Sequence, residues 1–319
     1  MRAAAGTVRR PPAGSTTACE AVPPPGADHQ TGGRDAMILI YTDFGWSGPY
    51  VGQMKAVLAA GAPGVPLVDL MHDAPAFAPG PAGRLLAALL RDLPDPERRP
   101  AAADPAGAGP VTAGPRDGPR DGPGPDVVLG VVDPGVGTAR RPIAVGAGGR
   151  VFVGPDNGLF WPAVAAAGGA AAAEAWILTL RPARLSASFH GRDLFAPAAA
   201  AIAAGRPVPG EPIDPAGLAR PDAAAAGEAG PVRPTVLYVD GYGNAMLDLA
   251  IADLPKDAVL AVGGHRLARA RTFGEVPEGA AFWYGNSLGL AEIAVNRGSA
   301  AEVLGLEAGT AVRIVHGER

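Results

Sequence analysis

Apolar runs and their spacing divide the chain into two rhythms. Met37-Ile-Leu-Ile-Tyr41 is a continuous apolar run that ends in polar Thr42-Asp43, the pattern of a strand buried on both faces. After Gly48-Pro49, the residues Tyr50, Met54, Val57 and Leu58 recur at helical spacing, and Gly61 stops the helix. Pro66-Leu-Val-Asp-Leu70 reads as a second strand, and Leu85, Leu86, Leu89 and Leu90 mark a second helix closed by Pro94. Such alternation predicts a parallel sheet with right-handed crossovers. Strands at 127–132, 142–145, 151–153 and 176–179 and helices near 159–167 and 194–204 continue the pattern. Beyond residue 234 the rhythm changes. Short strands at 235–239, 245–249, 258–262, 265–270, 280–284, 290–295 and 312–315, separated by Gly, Pro and Asn turns, predict a small barrel or sandwich. The expected fold class is α/β followed by a smaller all-β domain.

Composition adds the boundaries. The chain has 319 residues, of which 46 are Gly and 35 Pro, and the excess has two addresses. Residues 1–36 hold five Gly and five Pro, and residues 94–125 hold nine Pro and six Gly. Both lack the apolar residues that offset ordering entropy and read as a disordered tail and a disordered insert. A Pro-, Gly-, Ala- and acid-rich stretch marks a linker at 211–230 between an α/β domain over 37–210 and a β domain over 231–319.

Charge and cysteine usage narrow the partners. With 27 basic against 31 acidic residues, a net charge of −4 and no basic run beyond pairs such as Arg140-Arg141, nucleic acid is not an expected partner. The single cysteine, Cys19, excludes an intrachain disulfide and a cysteine-rich metal site. The longest uncharged stretch, Asn157 to Ala173, is too short and too rich in Ala and Gly to span a bilayer, so no membrane association is expected. The first residues lack the apolar run of a signal peptide, and the protein is read as cytoplasmic.

Ligands of open parallel sheets bind beyond the carboxyl ends of the strands, and here those segments are polar. The first strand runs into Thr42-Asp43-Phe44-Gly45, the second into His72-Asp73, and the third into Asp133-Pro-Gly-Val-Gly-Thr-Ala-Arg140. Pro155-Asp156-Asn157-Gly158 and Phe189-His190-Gly191-Arg192-Asp193 complete the edge. Singly, each has a structural reading: Asp43 and Asp193 as helix caps, Asp133 and Asp156 as turn residues, His190 as a satisfied core histidine. Capping does not explain why His190 and Arg140 face the same edge, so a site is expected there. Asp133, Asp156, His190 and Asp193 would also serve a metallohydrolase, but no paired-histidine or Cys motif accompanies them, and no metal is expected. Gly135-Val-Gly137 is too short for a nucleotide-phosphate loop.

Taken together, Thr-Asp-Phe-Gly with Gly-Pro-Tyr-Val-Gly, Val-Asp-Pro-Gly-Val-Gly-Thr, Pro-Asp-Asn-Gly-Leu, Phe-His-Gly-Arg-Asp, Asp240-Gly-Tyr-Gly-Asn244 and Glu292-Ile-Ala-Val-Asn-Arg-Gly-Ser-Ala-Ala resemble the S-adenosyl-L-methionine (SAM) hydroxide adenosyltransferases. These are the hydrolase branch of the family that includes the fluorinase and chlorinase. The resemblance covers residues 37–93 and 126–319 and implies hydrolysis of SAM to adenosine and L-methionine without a cofactor. It also implies a Rossmann-like N-terminal domain, a C-terminal β-barrel, and a homotrimer with the site between subunits. Matched by motif, the catalytic set falls on Asp133, Arg140 and His190. Asp43 matches the ribose-binding aspartate. Asp240 and Asn244 match positions that hold the methionine amino group and the adenine, Ser287 one near the methionine carboxylate, and Phe273 an adenine-stacking residue. His190 and the short link between strands 142–145 and 151–153 favour hydroxide over halide, while Leu288 stands where the halogenases put an arginine. A halogenase and a non-catalytic adenosyl-ligand sensor are the competing readings.

Overall fold

The computed structural model describes residues 36–94, 96, 124–221 and 233–316. The expected tail up to residue 35, most of the insert, and the linker from 222 to 230 lie outside the described residues.

The first domain is built on a seven-stranded sheet. Its strands are β1 (Ile38–Thr42), β2 (Leu67–Met71), β3 (Asp126–Val131), β4 (Pro142–Ala147), β5 (Arg150–Pro155), β6 (Glu174–Leu178) and β7 (Gly210–Ile213), in the order β2-β1-β3-β5-β4-β6-β7. Strands β2, β1, β3 and β5 are parallel, as the alternation predicts, while the β5–β4, β4–β6 and β6–β7 pairs are antiparallel, so that β4 and β7 run against the rest. The reversal has a local cause. Only Gly148 and Gly149 join β4 to β5, at φ 56° and 72°, and a two-residue turn with positive φ at both positions folds a hairpin.

Successive residues of β1 face opposite layers. Ile38 and Ile40 pack with Met54 and Leu58 of α1 (Tyr50–Gly61) and with α4 (Ala196–Ala203). Leu39 and Tyr41 pack with Leu85 and Leu86 of α2 (Pro79–Arg91) and, with Phe152, against α3 (Trp161–Ala166). Burial on both faces accounts for the unbroken apolar run.

One part of the expected linker belongs to the sheet. β7 pairs antiparallel with β6 at the sheet edge, and Asp214 then caps a 3-10 turn, Pro215–Gly217, with Oδ1 accepting from the Ala216 amide at 2.9 Å. An edge strand needs partners on one side only and tolerates Pro212, so composition alone reads it as linker.

The second domain is antiparallel. β8 (Val236–Val239), β9 (Ala245–Ala250), β12 (Ala281–Gly285) and β13 (Leu290–Val295) form a sheet in the order β12-β13-β9-β8. β10 (Ala258–Val262), β11 (His265–Leu267) and β14 (Arg313–His316) form a second, β11-β10-β14. Trp283, Leu247, Leu260 and Ile293 share one core, which also takes Ala300 and Leu304 of a short helix absent from the periodicity reading, α5 (Ala300–Leu304). Ser299 caps its start, accepting from the Glu302 amide at 3.1 Å, and Gly305 in the left-handed region ends it. The two domains meet where Ala88 of α2 packs on Leu237 and Leu290, flanked by an Arg84–Asp248 ion pair at 3.4 Å.

Candidate active site

Two successive turns follow β3. The Val136 amide donates to Asp133 O at 3.2 Å, the Thr138 amide to Gly135 O at 3.1 Å, and the Thr138 hydroxyl to the same oxygen at 2.7 Å. Gly137 sits at φ 78°, and a Cβ there would lie 2.7 Å from the carbonyl oxygen of Ala187. The loop therefore presses against the segment that leads to His190, and Arg140 folds back onto Asp133. Arg140 Nε donates to Asp133 Oδ1 at 3.0 Å and Oδ2 at 2.9 Å, and Nη2 also reaches Oδ2. The same Nη2 lies 2.9 Å from His190 Nδ1. The guanidinium carbon stands 5.0 Å from the centroid of the buried Phe195 ring, and the two charged side chains are 9% and 5% exposed.

This geometry assigns protons. A guanidinium only donates, so Nδ1 of His190 accepts and the ring carries its proton on Nε2. Burial and then the charge of Arg140 hold His190 below the usual histidine range, against the opposing pull of Asp133 and Asp193. Asp133, with both oxygens taken by Arg140, orients the cation rather than offering itself as a base.

Asp43 follows β1. Its Oδ2 accepts from the amide of Phe77 at 3.0 Å, and burial, reinforced by Asp133, raises its pKa above the usual aspartate value. Beside it Phe44, Tyr50 and Phe189 meet edge to face, with centroids 5.2 to 6.0 Å apart. The capping readings fail. No side chain caps α1, and the Asp193 carboxylate instead takes the Ser186 amide at 2.8 Å and Arg192 Nε at 2.6 Å. Asp156 is held by Arg141 Nε at 2.7 Å and the Ala219 amide at 2.8 Å. Each carboxylate weighed as a metal ligand is thus closed by an arginine.

A second cluster lies on the β domain. Asp240, Asn244, Phe273, Tyr284 and Arg297 line a cavity of about 630 Å³. Asp240 Oδ1 accepts from the amides of Tyr242 and Asn244, both at 2.9 Å, and Oδ2 accepts from Asn244 Nδ2 at 3.0 Å, which ties the β8–β9 turn. Phe273 meets Phe282 and Tyr284 edge to face at 5.2 and 5.4 Å. Tyr284 donates to Glu292, a buried carboxylate that also accepts from Asn286 Nδ2 at 2.8 Å.

Residues 38–98 and 120–210 match the SAM hydroxide adenosyltransferase N-terminal domain, and residues 234–313 match the C-terminal domain of the same family. The chain belongs to the SAM hydroxide adenosyltransferases. A relative from Thermus thermophilus named (R)-S-adenosyl-L-methionine hydrolase is 42% identical, over 87% of this chain and 99% of its own. One of the same name from Salinispora arenicola is 37% identical, over 88% and 98%. A crystal structure of a conserved hypothetical protein from Thermus thermophilus aligns with TM-score 0.62 at 38% identity, over 88% of this chain and 100% of that one. An uncharacterized conserved protein from Thermotoga maritima aligns with TM-score 0.69 at 27% identity, over the same shares.

Of the residues expected for a SAM hydroxide adenosyltransferase site, the fold gathers Asp133, Arg140 and His190 in one hydrogen-bonded chain with Asp43 nearby. It gathers Asp240, Asn244 and Phe273 around a separate cavity. Ser287 stands apart, exposed on the turn after β12 and not among the residues lining that cavity. Leu288 on that turn packs toward α2 with Leu237 and Tyr238. Phe44, Tyr50, Phe189 and Arg297 lie inside the motifs named above but had no role assigned to them, and Tyr284 lies in none. The motifs were the signal for the first four, whereas Tyr284 looks like any alternating strand residue.

Proposed function

We propose that this protein hydrolyses SAM by attack of water at the ribose 5′ carbon, releasing adenosine and L-methionine. The observation that carries the reading is the single guanidinium of Arg140 bound to both Asp133 and His190, within a chain of this family. The sulfonium is an excellent leaving group because it departs as a neutral thioether. Water is the weak partner: deprotonating it in bulk at pH 7 costs roughly 12 kcal/mol, from about 8.7 pK units at 1.36 kcal/mol each. Arg140 stabilises hydroxide as it develops, Asp133 aims the cation, and neutral His190 takes the proton at Nδ1, its one lone pair, in exchange for the Arg140 hydrogen bond. Positioned acid–base groups of this kind contribute about 10²–10⁴-fold.

In this reading Asp43 binds the ribose, Asp240 the methionine amino group, and Asn244 and Phe273 the adenine. The catalytic chain and the cavity sit on different domains, which favours a site formed when the β domain of one subunit meets the α/β domain of the next in a homotrimer. The exposed aromatic residues Trp46, Tyr50 and Tyr242 are surface that such a contact would cover. Incubation with SAM in heavy-oxygen water tests the chemistry. The label should appear on the 5′ oxygen of adenosine, and added chloride or fluoride should give no halogenated nucleoside. A halogenated product would overturn the reading, as would binding without turnover. Turnover should also vanish when the protein is diluted to monomers.

A further inference from the structure

Beneath Asp43 lies a chain of polar groups that the proposed reaction does not use. Thr42 and His72 are both fully buried, at the ends of β1 and β2. Thr42 Oγ1 stands 2.9 Å from His72 Nδ1, His72 Nε2 is 3.0 Å from Asp69 Oδ1, and Lys55 Nζ donates to Asp69 Oδ2 at 2.8 Å. Burial pushes Asp69 up, but hydrogen bonds from Lys55 and His72 outweigh it and hold the carboxyl below its usual value. An ionised Asp69 only accepts, which places a ring proton on Nε2 of His72. The amide of Phe44 donates to Thr42 Oγ1 at 3.4 Å, so the same hydroxyl joins the His72 ring to the Asp43 loop.

The same histidine grips the loop through its backbone. The Gly45 amide donates to His72 O at 2.6 Å, and the Ala74 amide donates to Thr42 O at 3.1 Å. The edge of Trp46 also abuts the His72 ring, at 4.8 Å between centroids. Asp43 is thus bracketed by Thr42, Gly45 and Trp46, each in contact with His72, and by Phe44, whose amide is held by Thr42 Oγ1, while the Phe77 amide pins its carboxylate from the other side. A turn that only reversed the chain would need no buried imidazole.

We propose that Asp69, His72 and Thr42 are a positioning relay that holds Asp43 in the orientation that binds the ribose. The relay rests on the reading of Asp43 given above. It acts on ground-state binding and leaves the chemical step to Arg140 and His190. Its components are positioning residues, because none of them touches the reacting atoms.

The test measures adenosine affinity by calorimetry, together with kcat and KM for SAM. Thr42→Val keeps the shape and removes the hydroxyl, and it should raise KM and the adenosine Kd about 5- to 10-fold with kcat within about twofold. Thr42→Ser should restore both constants. Asp69→Asn, 27% exposed on an edge strand and still able to accept from His72 Nε2, should move KM in the same direction, and with Asp69→Ala it carries the test if Thr42→Val does not unfold cooperatively. Asp43→Asn is the reference. If it weakens adenosine binding while Thr42→Val and Asp69→Ala do not, the relay is wrong and the role of Asp43 stands. If Asp43→Asn itself leaves Kd unchanged, the ribose reading falls and takes the relay with it. A loss confined to kcat, or a serine that fails to rescue, also overturns the proposal.

Discussion

Arg140 donates to both oxygens of Asp133 and to Nδ1 of His190 at the same time, which requires the planar fork of a guanidinium. A lysine ammonium at that position could meet one partner or the other. Arg140→Lys should therefore lower kcat about 10²-fold or more while SAM affinity changes little, as single-turnover kinetics and equilibrium binding would check. His190 supplies the pH signature. Burial and Arg140 depress its pKa below the ordinary 6.5, so the neutral ring that accepts from Arg140 persists into mildly acid solution. As pH falls through the depressed value the ring gains a proton, loses its acceptor and repels Arg140. The rate at saturating SAM should accordingly stay flat from about pH 8 to below about 6.5 and drop only in more acid buffers. An acid limb centred above 6.5 would mean that another group controls the rate.

The loop after β3 turns twice within eight residues so that residues 133 and 140 meet, and Gly137 is the position where the turn and the approach to Ala187 coincide. Gly137→Ala imposes a left-handed backbone on a residue with a Cβ and drives that atom to 2.7 Å from a carbonyl oxygen. It should cost about 1–3 kcal/mol in thermal unfolding. It should lower kcat further than the stability loss explains, because it separates Arg140 from His190. A variant with full turnover at reduced melting temperature would show that the loop tolerates the shift. Strand positions were legible at this scale: β8, β9, β10, β12 and β13 follow their alternating or apolar runs to within a residue. β7 and α5 were not legible. The first is four residues of edge strand with one large apolar side chain, and the second is five residues whose stability comes from its cap and from burial of Ala300 and Leu304.

At the scale of the whole molecule, the two domains are joined by a small apolar seam under α2. Leu237 is 1% exposed there, against Ala88 and Leu290, with Tyr238 donating to Asp73 at 2.8 Å across the boundary. Leu237→Ala should cost about 2–5 kcal/mol and, by loosening the seam, broaden or split the calorimetric transition. A single sharp transition at the original temperature would show that the seam does not couple the domains. The amino-acid sequence determined by itself what depends on neighbours along the chain: the buried β1 run, the change of rhythm after residue 234, and the acids and glycines clustered behind strand ends. The positions of Asp133, Arg140 and His190 behind strand ends were legible because turns leave local marks, while their reading as one set came from the family resemblance. The edge position of β7 beside β6, the arginine partner that closes Asp156, and the relay under Asp43 were decided only by tertiary structure. Each of them is a pairing between residues remote in sequence, Thr42 with His72 or Asp156 with Arg141, and such pairings leave no periodicity to read.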